Sequence, residues 1–284
     1  LVVFAAGSLM VPFQQLEKAF EAEHPDIDVI GEYHGSIQVM RHVTELHEDI
    51  DVVATADWSL VPMLMYAVNV PGTDDPYATW TLGMAGNRLG IAYRPDSLYA
   101  DKISASNWWE ILARDDVRVG LSDPRFDAVG YRALMILALG QDYYDQPGLF
   151  GRVVHGQFRS PLRISAQEDG YLIEVPEVLE TTPEAHILVR GSSVGLIALM
   201  EAGEIDYAFE YESVIKQHGF QHLELPPELN LGEPVLAEAY GRATVSLDMQ
   251  RFASVEPRFR GEPIKYGITI PTNAPHPAEA EAFV

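Results

Sequence analysis

The chain contains no cysteine. That absence removes disulfides, thiolate metal sites and cysteine nucleophiles in one step. Basic residues are scarce: 19 Lys and Arg stand against 42 Asp and Glu, a formal net charge of −23 at pH 7. This balance argues against a DNA or RNA partner, because neutralising phosphates requires a basic face. The acidity itself reads as a well-solvated surface, and any anionic ligand must be captured by local donors against the field of the whole chain. No run of 18 apolar residues occurs, so no stretch reads as a membrane-spanning helix. A leader of basic, then apolar, then small residues is also missing. The chain opens abruptly in a strand pattern, as a mature protein or a trimmed piece of one would. It ends inside Pro277-Ala-Glu-Ala-Glu-Ala-Phe-Val284, which reads as a helix whose continuation is expected. Internal repeats and low-complexity tracts are absent as well.

What is present is an ordinary globular composition. Of 284 residues, 47% are apolar and 21% charged, enough for a large core and for two lobes. The opening run Leu1-Val2-Val3-Phe4-Ala5-Ala6 has no polar break and reads as a buried strand. It stops at Gly7-Ser8, and a helical pattern follows through Phe13, Leu16 and Phe20 with Pro12 in the first turn. Ser8 is therefore expected to cap a helix at the carboxyl end of a strand. A helix start holds unpaired N–H groups and the positive end of the macrodipole, so it can receive an anion.

The same design recurs. Strand Ile27-Asp-Val-Ile30 leads through Gly35-Ser36 into a helix marked by Val39, Val43 and Leu46. Strand Ile50-Asp-Val-Val-Ala54 leads through Thr55-Ala-Asp-Trp-Ser59 into a helix with Leu60, Met63 and Leu64. Alternation of this kind indicates a parallel, doubly wound sheet, whose ligands sit at the carboxyl ends of the strands. Ser8, Ser36 and the Ala56-Asp57 turn fall on that edge. Further strands are read at 89–93, 117–121, 187–190, 206–211 and 266–270, with helices around 108–112, 128–139, 196–200 and Val214. Residues 141–186 carry mixed signals. Residues 225–263 hold five prolines and read as connecting or edge structure.

Taken together, several segments resemble the molybdate- and tungstate-binding proteins of ABC transporters, of the archaeal type. They are Ala6-Gly7-Ser8-Leu9, His34-Gly35-Ser36, Val43-Thr-Glu-Leu46, Ala56-Asp57-Trp58-Ser59-Leu60 and Asn107-Trp-Trp-Glu110. Asp123-Pro124, Gly130-Tyr131-Arg132, Glu210-Tyr211-Glu-Ser-Val214 and Gln217-His218-Gly219 continue the match, whose order and spacing carry more weight than any one motif. The resemblance implies a two-lobed, periplasmic-binding-protein-like α/β fold of type II. Each lobe would hold a mostly parallel sheet flanked by helices, with the ligand cleft between the lobes. Lobe one is placed at 1–84, completed by 272–284, and lobe two at 85–271. The implied role is an extracytoplasmic solute-binding protein, monomeric and without cofactor or catalysis. It would hand a tetrahedral oxyanion to a membrane permease.

Carried over by position, Ser8 and Ser36 would donate to the anion's oxygens, and the Tyr211 hydroxyl would reach it from the second lobe. Asp127 matches a carboxylate that approaches the metal itself, which makes it a metal ligand only if the carboxylate coordinates Mo or W. Archaeal members usually carry a glutamate where this chain has Ser193. With Ser193 there, tetrahedral and six-coordinate binding both stay open, as does a different oxyanion. Beside a dianion, Asp127 is protonated, bonded to the metal, or turned away.

Plainer readings stand next to these. Ser8, Ser36 and Asp127 are each suited to be simple N-caps, Tyr211 to be a core tyrosine, and Asp57 to shape its turn. His218 and His222, four apart, have zinc-ligand spacing on a helix, although Gly219 and Phe220 are expected to end that helix first. Gly191-Ser192-Ser193-Val194-Gly195 also satisfies the G-x-S-x-G elbow of a serine hydrolase, with Asp206 and His218 following in order. Hydrolysis through Ser193 is the alternative function.

Overall fold

The computed structural model of the chain describes residues 1–248 and 257–284. Because the opening run is apolar on both of its faces, it forms a central strand, β1 (Val2–Ala6), with Val3 to Ala6 buried. β1 pairs in parallel with β2 (Ile30–His34) on one side and β3 (Val52–Thr55) on the other. Helices α1 (Met10–Glu23) and α2 (Ser36–Thr44) follow β1 and β2, while Val61–Met65 makes only a short π-helical turn after β3. β4 (Leu82–Gly86) lies at the far edge of this sheet.

The strand between β3 and β4 comes from the other end of the chain. Lys265–Thr269 runs antiparallel to both, with Gly267 opposite Thr55 on one side and Gly83 on the other. This corrects the expected boundaries, which put that strand in the second lobe. The chain divides into Leu1–Gly86 with Lys265–Val284, and Asn87–Ile264. Packing is close at one position of this strand: a Cβ at Gly267 would lie 2.9 Å from the Trp58 backbone, so that position needs a residue without a side chain. An apolar strand pattern carries no label of the sheet it will join.

The second unit contains, in order, β5 (Leu89–Tyr93), α3 (Trp108–Leu112), β6 (Val119–Ser122), α4 (Ala128–Tyr143) and α5 (Leu149–Val154). Then come β7 (Arg163–Gln167), β8 (Gly170–Val175), β9 (Ile187–Arg190), α6 (Ser193–Glu201) and β10 (Tyr207–Tyr211). α7 (Glu212–Gln217), β11 (Gln221–Glu224), α8 (Ala237–Tyr240), β12 (Ala243–Leu247) and β13 (Arg258–Arg260) complete it. One sheet has the order β11-β5-β10-β6-β9 and the other β13-β12-β8-β7. The strand at Lys265–Thr269 is then β14, and α9 (Pro277–Phe283) packs Phe283 edge-on against Phe13 and Phe20.

One expectation changes here. The sheets are mixed and not mostly parallel: β5, β7, β13 and β14 all pair antiparallel. The stretch 141–186, where the signals are mixed, holds β7 and β8, and 225–263, read as connecting or edge structure, holds β12 and the edge strand β13 of the same sheet. The part of that last stretch at 249–256 lies outside the described residues. α4 packs against β6 and β10 of one sheet and β8 and β12 of the other. It is buried from Ala128 to Gln141, as a helix apolar on every side must be. α6 covers another face, where Leu196 and Met200 meet Ala92, Ile205, Ala208 and Ile215. Among the described residues no helix is long and apolar enough to cross a membrane.

Candidate functional site

In the first unit, the parallel registers Ala6 with His34 and Ala5 with Ala54 bring three turns to one sheet edge. Ser8 is buried in the turn Gly7–Leu9, and its hydroxyl shares a 2.9 Å hydrogen bond with the Tyr266 hydroxyl of β14. The residue that caps this turn is Ala6, without a side-chain bond, so the expected cap role of Ser8 is corrected. Ser36 is likewise not the cap of α2. Gly35 holds that position, and Ser36 Oγ accepts the Ala56 N–H at 3.0 Å. The bond ties the end of β3 to the first turn of α2 and leaves Ser36 only 1% exposed. Asp57 shapes its turn, as its plainer reading holds: Oδ1 accepts from the Ser59 N–H at 3.0 Å and the Ser59 hydroxyl at 2.7 Å. This edge therefore offers three hydroxyls and a helix start, and no cation is needed to build it.

In the second unit, the corresponding edge is made where β6, β9 and β10 end. Asp127 is the N-cap of α4, and its Oδ1 accepts the Val129 N–H at 2.9 Å. Its Oδ2 accepts the Ser193 N–H at 2.7 Å, so one carboxylate caps α4 and also α6. Burial pushes this carboxyl up from its ordinary value, opposed by the two amides, by Ser122 and by Arg132. Ser193 is the first residue of α6 and is buried. Tyr211 ends β10, with its hydroxyl accepting from a guanidinium nitrogen of Arg132 at 2.5 Å. Both side chains are at most 2% exposed.

Three residues of these edges were given no role at the site by the sequence reading. Tyr266 and Arg132 act through partners far along the chain. Glu210 is wholly buried next to Tyr211, and its Oε1 accepts the Tyr211 N–H at 2.8 Å. Burial pushes its carboxyl up to about 8, helped by Asp127 and opposed by the Tyr211 amide and by Ser193. Among the described residues, no hydrogen bond reaches Glu210 Oε2 or the Ser122 hydroxyl. The available signal was a lone ionisable residue inside an apolar run: Glu210 in Tyr-Ala-Phe-Glu-Tyr, Arg132 in Gly-Tyr-Arg-Ala-Leu-Met-Ile.

The hydrolase geometry is not formed. Asp206 gives its two oxygens to the N–H groups of Leu98 and Arg118. His218 Nδ1 faces Glu201 at 3.6 Å, and its ring stacks on Phe220. Ser193 thus meets carboxyl groups where a nucleophile needs an imidazole. The zinc spacing fails for a simpler reason: His218 ends α7 while His222 lies in β11. Among the described residues, no group of three His, Asp or Glu is arranged to hold a metal.

Comparison with known proteins bears on the same question. The family model described as "Bacterial extracellular solute-binding protein" matches residues 1–284. An uncharacterized solute-binding protein of Methanoculleus marisnigri is 39% identical over 284 residues, covering 100% of this chain and 76% of the relative. The molybdate/tungstate-binding protein WtpA of Thermococcus kodakarensis is 35% identical over 291 residues, covering 100% and 76%. Among solved structures, the periplasmic molybdate-binding protein of Azotobacter vinelandii aligns with a TM-score of 0.57 at 15% identity, covering 100% of this chain and 90% of that one. The sulfate-binding protein SubI of Mycobacterium tuberculosis gives 0.59 at 15%, covering 99% and 79%. At that identity the structural likeness speaks for the fold alone, which is the periplasmic-binding-protein-like architecture. Solute-binding proteins are non-enzymatic components of transport, and this removes the hydrolase alternative. Matched along its whole length by the family model and by relatives well above 30% identity, the chain belongs to the bacterial extracellular solute-binding protein family.

Proposed function

We propose that the protein captures a tetrahedral oxyanion, molybdate or tungstate, outside the cytoplasm for delivery to an ABC-transporter permease. The observation that carries this reading is the set of buried, preorganised hydroxyls at strand ends. Ser8 with Tyr266 and Ser36 beside the Ala56 amide stand in the first unit, and Tyr211 held by Arg132 in the second. Neutral donors fixed in advance suit a desolvated dianion, because no reorganisation is needed when the charge arrives. The relative WtpA, matched along the whole of this chain and named for molybdate and tungstate, supports the choice of ligand.

In this reading Ser8, Ser36, Ser193 and Tyr211 donate to anion oxygens. Asp127 holds the two helix starts in place and does not bond the metal, so coordination stays tetrahedral. Charge-assisted hydrogen bonds contribute about 1.5–3 kcal/mol each. Five or six of them reach roughly nanomolar affinity once the costs of binding are subtracted.

Calorimetric titration and thermal unfolding with molybdate, tungstate, sulfate and phosphate test the proposal. Molybdate or tungstate should bind saturably and raise the melting temperature well beyond the sulfate shift. The double variant S36A/Y211F should lose at least about tenfold in affinity while keeping its circular dichroism spectrum. Equal shifts for all four anions, or no heat with any, would end the assignment.

A further inference from the structure

Glu210 is a buried carboxyl that the capping network of the second unit does not use up. Asp127 commits both oxygens to amides. Glu210 commits one, while its Oε2 is fully buried and without a hydrogen-bond partner among the described residues. Buried polar atoms are almost always satisfied, so an exception in a binding protein calls for a partner that arrives later. The atom's surroundings indicate which kind. On β10, Glu210 shares a face with Ala208, and Ala208 packs under Leu196 and Met200 of α6. Glu210 therefore sits below the first turn of α6, a nine-residue helix whose first residue, Ser193, adjoins it. That turn carries the positive end of the helix dipole.

We propose that Glu210 is a ligand-contacting, specificity-determining residue: its neutral carboxyl donates a hydrogen bond from Oε2 to an oxyanion seated at the start of α6. This inference rests on the oxyanion reading above. A neutral carboxyl adds a donor without adding negative charge beside a dianion. Once ionised, the same group becomes an acceptor that repels it.

Burial pushes both the Glu210 and the Asp127 carboxyls up from their ordinary values, and their hydrogen-bond partners differ. Asp127 receives two amide N–H bonds and feels the Arg132 guanidinium, all of which favour its charged form. Glu210 has one amide, Ser193, and the like charge of Asp127, and burial dominates its balance. The groups facing it from other elements are Asp127 at the start of α4 and Ser193 at α6, and Arg132 of α4 acts on Asp127. Across β5 its register partner is Gly90, and a Cβ there would lie 2.2 Å from His222 Nε2 of β11. Burial lowers the His222 ring below its usual value, against the pull of Glu212 and Glu224. That ring is therefore already neutral when Glu210 titrates.

With a carboxyl that titrates near 8, the neutral fraction falls about tenfold between pH 7 and pH 9, and affinity falls with it. Titration of the whole chain with sodium molybdate at pH 6, 7, 8 and 9, in buffers of different ionisation heat, reads this directly. The wild type should bind evenly at pH 6 and 7, lose about tenfold by pH 9, and take up a proton on binding above about pH 8. E210Q, whose amide N–H still donates, should bind within about threefold at pH 7 and show a flat profile. E210A should lose at least about tenfold at pH 7. A flat wild-type profile, or an E210Q profile that falls like the wild type, overturns the role of Glu210 while leaving oxyanion binding intact. If molybdate, tungstate and sulfate all give no heat with the wild type, the oxyanion reading and this inference fall together. Should either variant unfold, the wild-type profile and its proton uptake decide alone.

Discussion

Asp127 is the residue on which two helices depend. Its carboxylate satisfies N–H groups at the starts of α4 and α6, and the Ser193 amide it reaches lies 66 positions further along the chain. Removing a cap costs about 0.5–2 kcal/mol, and here two are lost from a fully buried place. D127A should therefore lower stability by about 2–4 kcal/mol, read as a drop in the denaturation midpoint with an unchanged slope. D127N keeps one acceptor oxygen and should lose about half as much. If D127N left stability alone but abolished anion binding, the carboxylate would be a ligand and the cap reading would be wrong. Ser8 and Ser36 were visible in the sequence because small residues between a strand run and a helical run mark a junction locally, whereas Asp127, Ser193 and Tyr211 were reached through the family resemblance. Their hydrogen bonds were not visible. Ser8 meets Tyr266 across 258 positions, and no local pattern encodes such a meeting.

At the level of elements, α4 is fixed by how closely its first turn approaches the end of β6. A Cβ at Gly130 would lie 2.2 Å from the Ser122 carbonyl oxygen and 2.6 Å from the Pro124 nitrogen, both backbone atoms with little freedom to yield. Gly140, in the last turn of the same helix, has nothing nearer than the Leu149 side chain at 3.4 Å. G130A should thus cost about 1–3 kcal/mol through overpacking, a loss of several degrees in melting temperature. G140A should be neutral or stabilising, since alanine is the better helix former by about 1 kcal/mol. Equal shifts for the two variants would show that the close contact at Gly130 is not what seats α4. The elements themselves were legible where each carries its own pattern: β1, β3, β9, β10 and α4 follow the apolar runs closely. The sheet β13-β12-β8-β7 was not. β8 pairs in parallel with β12 from far along the chain, and β7 is a largely exposed edge strand with too few apolar residues to announce itself.

For the whole molecule the governing quantity is charge. A formal −23 repels a dianion at long range, while hydroxyls and amides attract it only within a few ångströms. Salt separates the two. The Debye length falls from about 30 Å at 0.01 M to about 8 Å at 0.15 M, so it removes the long-range repulsion and leaves the buried contacts almost untouched. Most electrostatically guided complexes associate more slowly as salt is added, because their long-range field is attractive. Here the sign should invert. Stopped-flow tryptophan fluorescence with molybdate should show an association rate that rises severalfold between 10 mM and 150 mM sodium chloride, with a nearly constant dissociation rate. A rate that falls with salt would require a basic approach path strong enough to outweigh the acidic surface. Arg132, the guanidinium that holds Tyr211, is too deeply buried to provide that path, being only 2% exposed. An attractive field would then have to come from surface arginines and lysines, and capture by neutral donors alone would no longer describe how the anion is taken up.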